Sequence, residues 1–108
     1  MTGHSESQIE KAVKTYAQAK GWAAYKWNSA SQRGVPDDLF FQFGTVVIVE
    51  FKREGELPTP YQAAVHRRLK AKGHVVHVVD SIEGGRALFD ELTKEHSATW
   101  RGDNALLV

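Results

Sequence analysis

Two short stretches of this 108-residue chain, Gly34-Val35-Pro36-Asp37 and Glu50-Phe51-Lys52, hold residue types whose spacing could do chemistry together. The apolar run Val46-Val47-Ile48-Val49 leads straight into Glu50-Phe51-Lys52. Side chains alternate along a strand, so Glu50 and Lys52 share a face with Val46 and Ile48 and stand about 6–7 Å apart. Taken alone, Glu-x-Lys also reads as strand-end solvation with an ordinary surface ion pair. Pro36 biases Val35 to extended backbone and marks a turn into a strand that starts near Asp38. Asp37 then enters the sheet beside the Glu50 strand, although a turn aspartate accepting local backbone bonds has the same signature. Asp38, one residue on, should face the opposite way. Two carboxylates and a lysine on adjacent strands suit one reaction. A hard divalent cation such as Mg²⁺ takes one or two carboxylates plus substrate phosphate. It can polarise a phosphoryl oxygen and lower the pKa of a water, while the lysine positions that water or offsets charge developing on the phosphate. The set suits phosphodiester hydrolysis.

These residues need elements that hold them. Ser5 to Lys20 reads as an amphipathic helix, with Ile9, Ala12, Val13, Tyr16 and Ala17 on one face. Ser5 and Gln8 match a capping box, and Gly21 supplies the stop. Trp22 to Trp27 is a short aromatic strand, and Asn28 to Pro36 a polar loop. Asp38 to Phe43 and Thr45 to Lys52 read as an antiparallel pair turning at Gly44. Val46 to Val49 is apolar on both faces, as in a strand covered on both sides. Thr59 to Lys72 is a second helix, with Thr59 as N-cap, Pro60 at N1, Gln62 at N3 and Gly73 after its end. His74 to Val79 is a further strand, and Asp80 or Ser81 could cap a last helix carrying Leu88, Phe89 and Leu92. The order αβββαβ plus a C-terminal helix predicts an α/β fold with a mixed central sheet flanked by helices.

Composition narrows the function classes. The length is that of a single domain over 1–108, with a core over about 5–95 and a tail, 96–108, of no assignable role. Trp100 and residues 105–108 could dock on the body or on another subunit. With 42% apolar residues and three Trp, the chain has enough for one packed core. It has no Cys, which excludes disulfides, thiolate metal sites and a Cys nucleophile. No apolar run approaches the roughly 20 residues of a membrane span. A net charge of +1 announces no nucleic-acid partner, so that case rests on local patches. No HExxH, P-loop or GxSxG is present.

Gly34-x-Pro36-Asp37, a strand and Glu50-x-Lys52 resemble the PD-(D/E)xK nuclease signature. A wider pattern resembles the VRR-NUC (virus-type replication–repair nuclease) family. It comprises Glu6 before Ile9 in the first helix, the Arg-Gly-Val-Pro-Asp run 33–37, Val-Glu-Phe-Lys 49–52 and Pro60-Tyr61-Gln62 opening a helix. It continues through Gly73-His74 and Val78-Val79-Asp80-Ser81, covering roughly 5–85. The resemblance implies a restriction-endonuclease-like core and Mg²⁺-dependent DNA cleavage, with Mn²⁺ as substitute. It further implies a homodimer selective for branched DNA such as Holliday junctions, working in DNA repair in the cytoplasm of a bacterial or phage-infected cell. A flap, nick or duplex nuclease, or a non-catalytic DNA-binding module on the same scaffold, are the rival readings.

Residue by residue, the resemblance makes Asp37 and Glu50 metal-binding carboxylates, the Phe51 main-chain carbonyl a further ligand and Lys52 the catalytic lysine. Gln62 matches a glutamine that positions water or phosphate, although a capping box explains it as well. On the first helix Glu6 lies about 50° from the apolar centre and Glu10 about 90°, so Glu6 is the better metal-proximal candidate. Lys26, Ser29, Ser31, Arg33 and Gly34 are candidates for DNA backbone contact, the Arg fork gripping phosphate bidentately. His66, Arg67, Arg68, Lys70 and Lys72 read equally as a second basic stretch or a solvated helix face. Trp22, Tyr25 and Trp27 read as core rather than as a base-stacking platform.

Overall fold

The computed structural model describes residues 3–102, so any docking of 105–108 lies outside the described residues. The chain runs α1 (Glu6–Ala19), β1 (Ala23–Lys26), β2 (Asp38–Gln42), β3 (Thr45–Phe51), α2 (Pro60–Ala71), β4 (Val76–Val79) and α3 (Ile82–Ser97). The sheet order is β1-β2-β3-β4, antiparallel except for the parallel pair β3–β4, whose crossover is α2. This is the expected mixed α/β architecture.

Local chemistry sets the element ends. Ser5 Oγ accepts from the Gln8 N–H at 3.1 Å, and the Gln8 side chain accepts from the Ser5 N–H at 2.7 Å. Thr59 and Gln62 repeat the arrangement at the start of α2. Each box satisfies two of the donors that a helix start leaves free. The hairpin between β2 and β3 turns at Phe43 and Gly44, both at positive φ (54° and 70°), as a primed two-residue turn requires. β4 begins at Val76 rather than His74, because the His74 N–H closes the end of α2 on the Leu69 carbonyl at 2.9 Å. Ser81, not Asp80, caps α3, its hydroxyl accepting from the Gly84 N–H at 2.9 Å.

The two faces of the sheet are unlike. Phe40, Val47, Val49, Phe51 and Val79 meet Ile9, Val13 and Ala17 of α1 and Phe89 of α3 in one core. Trp22 and Phe40 close on Phe89 at ring-centroid distances of 5.4 and 4.6 Å, and the Trp22 indole N–H donates to Thr93 Oγ1 at 2.9 Å. The register puts Leu39, Ile48 and Glu50 on the other face. There α2 covers only part of the sheet. Val46 is 50% exposed, so β3 is covered on both sides only from Val47 on. Tyr25 and Phe41 stay exposed on this face, in edge contact at 6.1 Å. The expectation of an all-core aromatic set therefore holds for Trp22 and fails for Tyr25. β1 is an edge strand, and among the described residues Tyr25 on it remains 63% exposed.

Asp38 pairs with Val49 and so faces the α1 layer, opposite to Asp37 in the alternation. It is fully buried, and Lys14 Nζ lies 3.2 Å from Oδ1. Neither carboxylate oxygen has a partner in hydrogen-bonding geometry among protein atoms. Burial, then the neighbouring Glu10 carboxyl, push Asp38 up to about 7. Glu10 titrates below an ordinary glutamate: burial opposes this, but Asp38 and the Lys26 ammonium outweigh it. Of the two carboxyls, Asp38 is therefore the one that takes up a proton first as pH falls. A carboxyl whose folded pKa exceeds its unfolded value near 4 costs nothing below that value and destabilises increasingly as pH rises toward 7. Asp38→Asn should remove this penalty. Its stability relative to wild type should rise by on the order of 2 kcal/mol between pH 5 and pH 8. Urea unfolding at both pH values measures it, and parallel pH dependences would refute the assignment.

Candidate active site

Asp37 and Glu50 meet where β2 begins and β3 ends. The Asp37 N–H donates to the Val49 carbonyl at 3.1 Å, and Asp37 Oδ2 accepts from the Phe51 N–H at 2.6 Å. Asp37 is thus tied by main chain and side chain to the strand carrying Glu50. Its own carbonyl accepts from the Trp27 N–H at 2.9 Å, which fastens the end of β1 to the same point. The Phe51 ring is buried in the core, so its main chain is the part that faces this corner.

Glu50 is fully buried on the face that α2 covers. Gln62 Nε2 donates to Glu50 Oε2 at 2.9 Å, while Gln62 Oε1 accepts from the Thr59 N–H at 2.8 Å. One end of the Gln62 amide therefore caps the helix, as the capping-box reading expects, and the other holds Glu50. His66, one turn further on, places Nε2 3.4 Å from Glu50 Oε1. The sequence left His66 in a stretch that read equally as basic or as a solvated helix face. The signal that could have separated it is its i, i+4 spacing from Gln62, which stacks the two side chains on one helix face.

Burial and the Asp37 charge push Glu50 up to about 8, against the pull of Lys52. Glu6 is raised by burial and again by Asp37, with Lys52 opposing. Lys52, only 6% exposed, leaves β3 with its N–H on the Val79 carbonyl at 2.9 Å. Burial and the Lys52 charge lower His66, favouring its neutral form. Three carboxyl groups thus crowd one lysine, and burial with mutual repulsion biases Glu50 and Glu6 toward their protonated forms. Among the described residues no group of three or more His, Asp and Glu side chains is placed to hold a metal ion. What the corner offers a hard cation is one or two carboxylates, its remaining positions being left to water and phosphate. The corner does not fit a metal caged by protein alone.

The remaining candidates lie around this corner. Glu10 pairs with Lys26 Nζ at 2.6 Å, so the Lys26 ammonium already has a carboxylate partner. Ser29 is half-buried, Ser31 and Arg33 are exposed, and Gly34 lies against the start of α2. Arg67, Arg68 and Lys70 are exposed on α2.

No protein-family model matches the sequence. A protein of Acyrthosiphon pisum secondary endosymbiont phage 1, named "Putative nuclease p44", is 47% identical over 77 residues, which span 70% of this chain and 83% of the phage protein. A solved structure described as "VRR_NUC domain" superposes with a TM-score of 0.73 at 30% identity, covering 79% of this chain and 94% of its own. A second, described as "VRR_NUC domain protein", superposes at 0.70 and 14% identity, covering 86% and 91%, and speaks to the fold alone.

Proposed function

The chain belongs to the VRR-NUC nuclease family, and from that premise we propose that it is a divalent-metal-dependent DNA endonuclease acting on branched DNA. The observation that carries this reading is the buried Glu50 carboxylate. It is held by Gln62, set beside Asp37 and Lys52, and compensated by too little positive charge. Asp37, Glu50 and the Phe51 carbonyl would hold Mg²⁺ or Mn²⁺, with Glu6 alongside. When bound, the cation supplies Lewis-acid polarisation of the scissile phosphate and a more acidic water. The chain's own groups do the rest. Gln62 and His66 fix the plane of the Glu50 carboxylate. Lys52, shielded from bulk water, offsets charge that grows on the phosphate as the bond to the leaving oxygen breaks.

A single small domain carries one such corner, whereas symmetric cleavage of a junction needs two cuts. A C₂ pair supplies them through one self-complementary interface. The exposed apolar side chains Tyr25, Phe41 and Val46 offer a surface for it. A cleavage panel of four-way junction, flap, nicked duplex and single strand, in Mg²⁺, Mn²⁺ and EDTA, tests the reading, with light scattering for mass. The expected result is junction cleavage that EDTA stops, by a protein of dimer mass. Binding without cleavage of any substrate would leave a DNA-binding module instead. A monomer mass with and without junction DNA would remove the dimer.

A further inference from the structure

The Arg33 guanidinium carbon lies 4.1 Å from the centroid of the Tyr61 ring, within cation–π distance. The two residues come from different segments, the long β1–β2 loop and the first turn of α2. Gly34 explains how they meet. Its φ is +84°, and a Cβ there would stand 2.6 Å from the Tyr61 carbonyl carbon and oxygen and 2.8 Å from the Gln62 nitrogen. Only glycine lets the loop backbone lie this close to the helix start. The contact is tied to the active corner at both ends. Arg33 precedes Asp37 by one turn of loop, and Tyr61 precedes the Gln62 that holds Glu50.

Among the described residues the Arg33 guanidinium, unlike several lysines of α1 and β1, is not taken up by a carboxylate. Lys14, Lys20 and Lys26 each have a carboxylate within 3.2 Å. Among the described residues Arg33 has no such ion pair, and its one neighbour of note is an aromatic face. Tyr61 is 54% exposed, so the ring and the guanidinium over it are open to a ligand from solvent. A guanidinium laid on a ring keeps its fork of N–H donors free in the plane, the geometry that matches phosphate oxygens.

We propose that Arg33 and Tyr61 form a clamp for a backbone phosphate of the nucleic acid neighbouring the one that is cut, with Tyr61 as the residue that positions the guanidinium. The inference rests on the nuclease reading and adds to it the residue pair that sets the strand against Asp37 and Glu50. Gly34 holds the loop and the helix in register, so the clamp is already formed before DNA arrives.

The test measures affinity for a fluorescein-labelled four-way junction by anisotropy in Ca²⁺, expected to support binding without cleavage, across a salt series. Arg33→Ala should weaken binding about 5- to 10-fold and lower the salt slope by about one unit, as the loss of one phosphate contact does. Tyr61→Leu should weaken it about 3-fold, and Tyr61→Phe, which keeps the ring, should bind as wild type. The double variant Arg33→Ala, Tyr61→Leu should be no weaker than Arg33→Ala alone, because the ring acts through the guanidinium. Thermal midpoints of all variants serve as the folding control. An Arg33→Ala variant with wild-type affinity and slope overturns the clamp, as does a double variant in which the losses add. Those results, with wild-type junction cleavage in Mg²⁺ intact, would leave the nuclease reading standing. A wild-type protein that binds the junction but cuts nothing would remove that reading and leave the clamp. A wild type that binds no DNA overturns both.

Discussion

Replacing Asp37 by Asn or Glu50 by Gln is expected to abolish Mn²⁺ binding and DNA cleavage together while leaving the fold in place. Both substitutions keep side-chain shape. Asn at 37 retains an oxygen for the Phe51 N–H, which Asp37 now accepts at 2.6 Å. Gln at 50 retains an oxygen for the Gln62 amide. What each removes is one of two negative charges that already crowd each other, since burial and then the Asp37 charge push Glu50 up to about 8. Losing one relieves the metal-free protein and deprives the cation of a ligand. The stability consequence has a definite sign. In EDTA, Glu50→Gln should unfold no earlier than wild type. Mn²⁺ at about 100 times its Kd should stabilise wild type by about 2.7 kcal/mol and the variants not at all. Single-turnover cleavage should fall by at least about 10³-fold in each variant. Calorimetry, thermal melts with and without Mn²⁺, and quenched-flow cleavage measure these three effects. Wild-type Mn²⁺ affinity in both variants would sink the assignment.

Lys52→Met should slow the chemical step by about 10²-fold or more while DNA affinity stays near normal. A lysine that merely grips backbone phosphate must reach solvent, and its loss lowers affinity and the salt slope by about one unit. Lys52 is only 6% exposed, whereas Arg67 and Lys70 on α2 are exposed. Its charge acts inward, against the raised Glu6 and Glu50 carboxyls and on His66. Met keeps most of the aliphatic stem, so packing is preserved while the charge is deleted. Affinity is measured in Ca²⁺, expected to support binding without cleavage, and the single-turnover rate in Mg²⁺. Lys52→Arg, which retains charge but not the compact ammonium, separates charge from shape. Weakened binding with a normal rate at saturating enzyme would make Lys52 a DNA-gripping residue instead.

Much of the fold was legible because the signals are local. Ser5 with Gln8, and Thr59 with Gln62, are three residues apart, and each pair closes its own hydrogen bonds whatever else the chain does. The turn at Gly44 was legible, but Phe43, expected as the last strand residue, joins it at positive φ because a two-residue hairpin demands two such positions. Strand alternation separated Asp37 from Asp38, sending one toward Glu50 and the other toward α1. Where the signal was less local, the reading slipped by a residue or two. β4 starts late because His74 serves the end of α2, and β3 is open at Val46 because α2 is too short to cover the whole sheet.

The sequence by itself determined which side chains point which way, because direction follows from the period of the strand or helix on which a residue sits. That was enough to place Asp37, Glu50 and Lys52 toward one corner and Glu6 nearer to it than Glu10. Only the tertiary structure decided what each side chain meets there. Glu10, Lys26 and Asp38 form one cluster because β1 and β2 are packed beneath α1. His66 reaches Glu50, and Arg33 lies on Tyr61, because the rotation of α2 and the close approach at Gly34 bring together residues 16 and 28 positions apart. Partners, burial and hence charge state depend on how faces pack across the sheet, and no period within a single element encodes that.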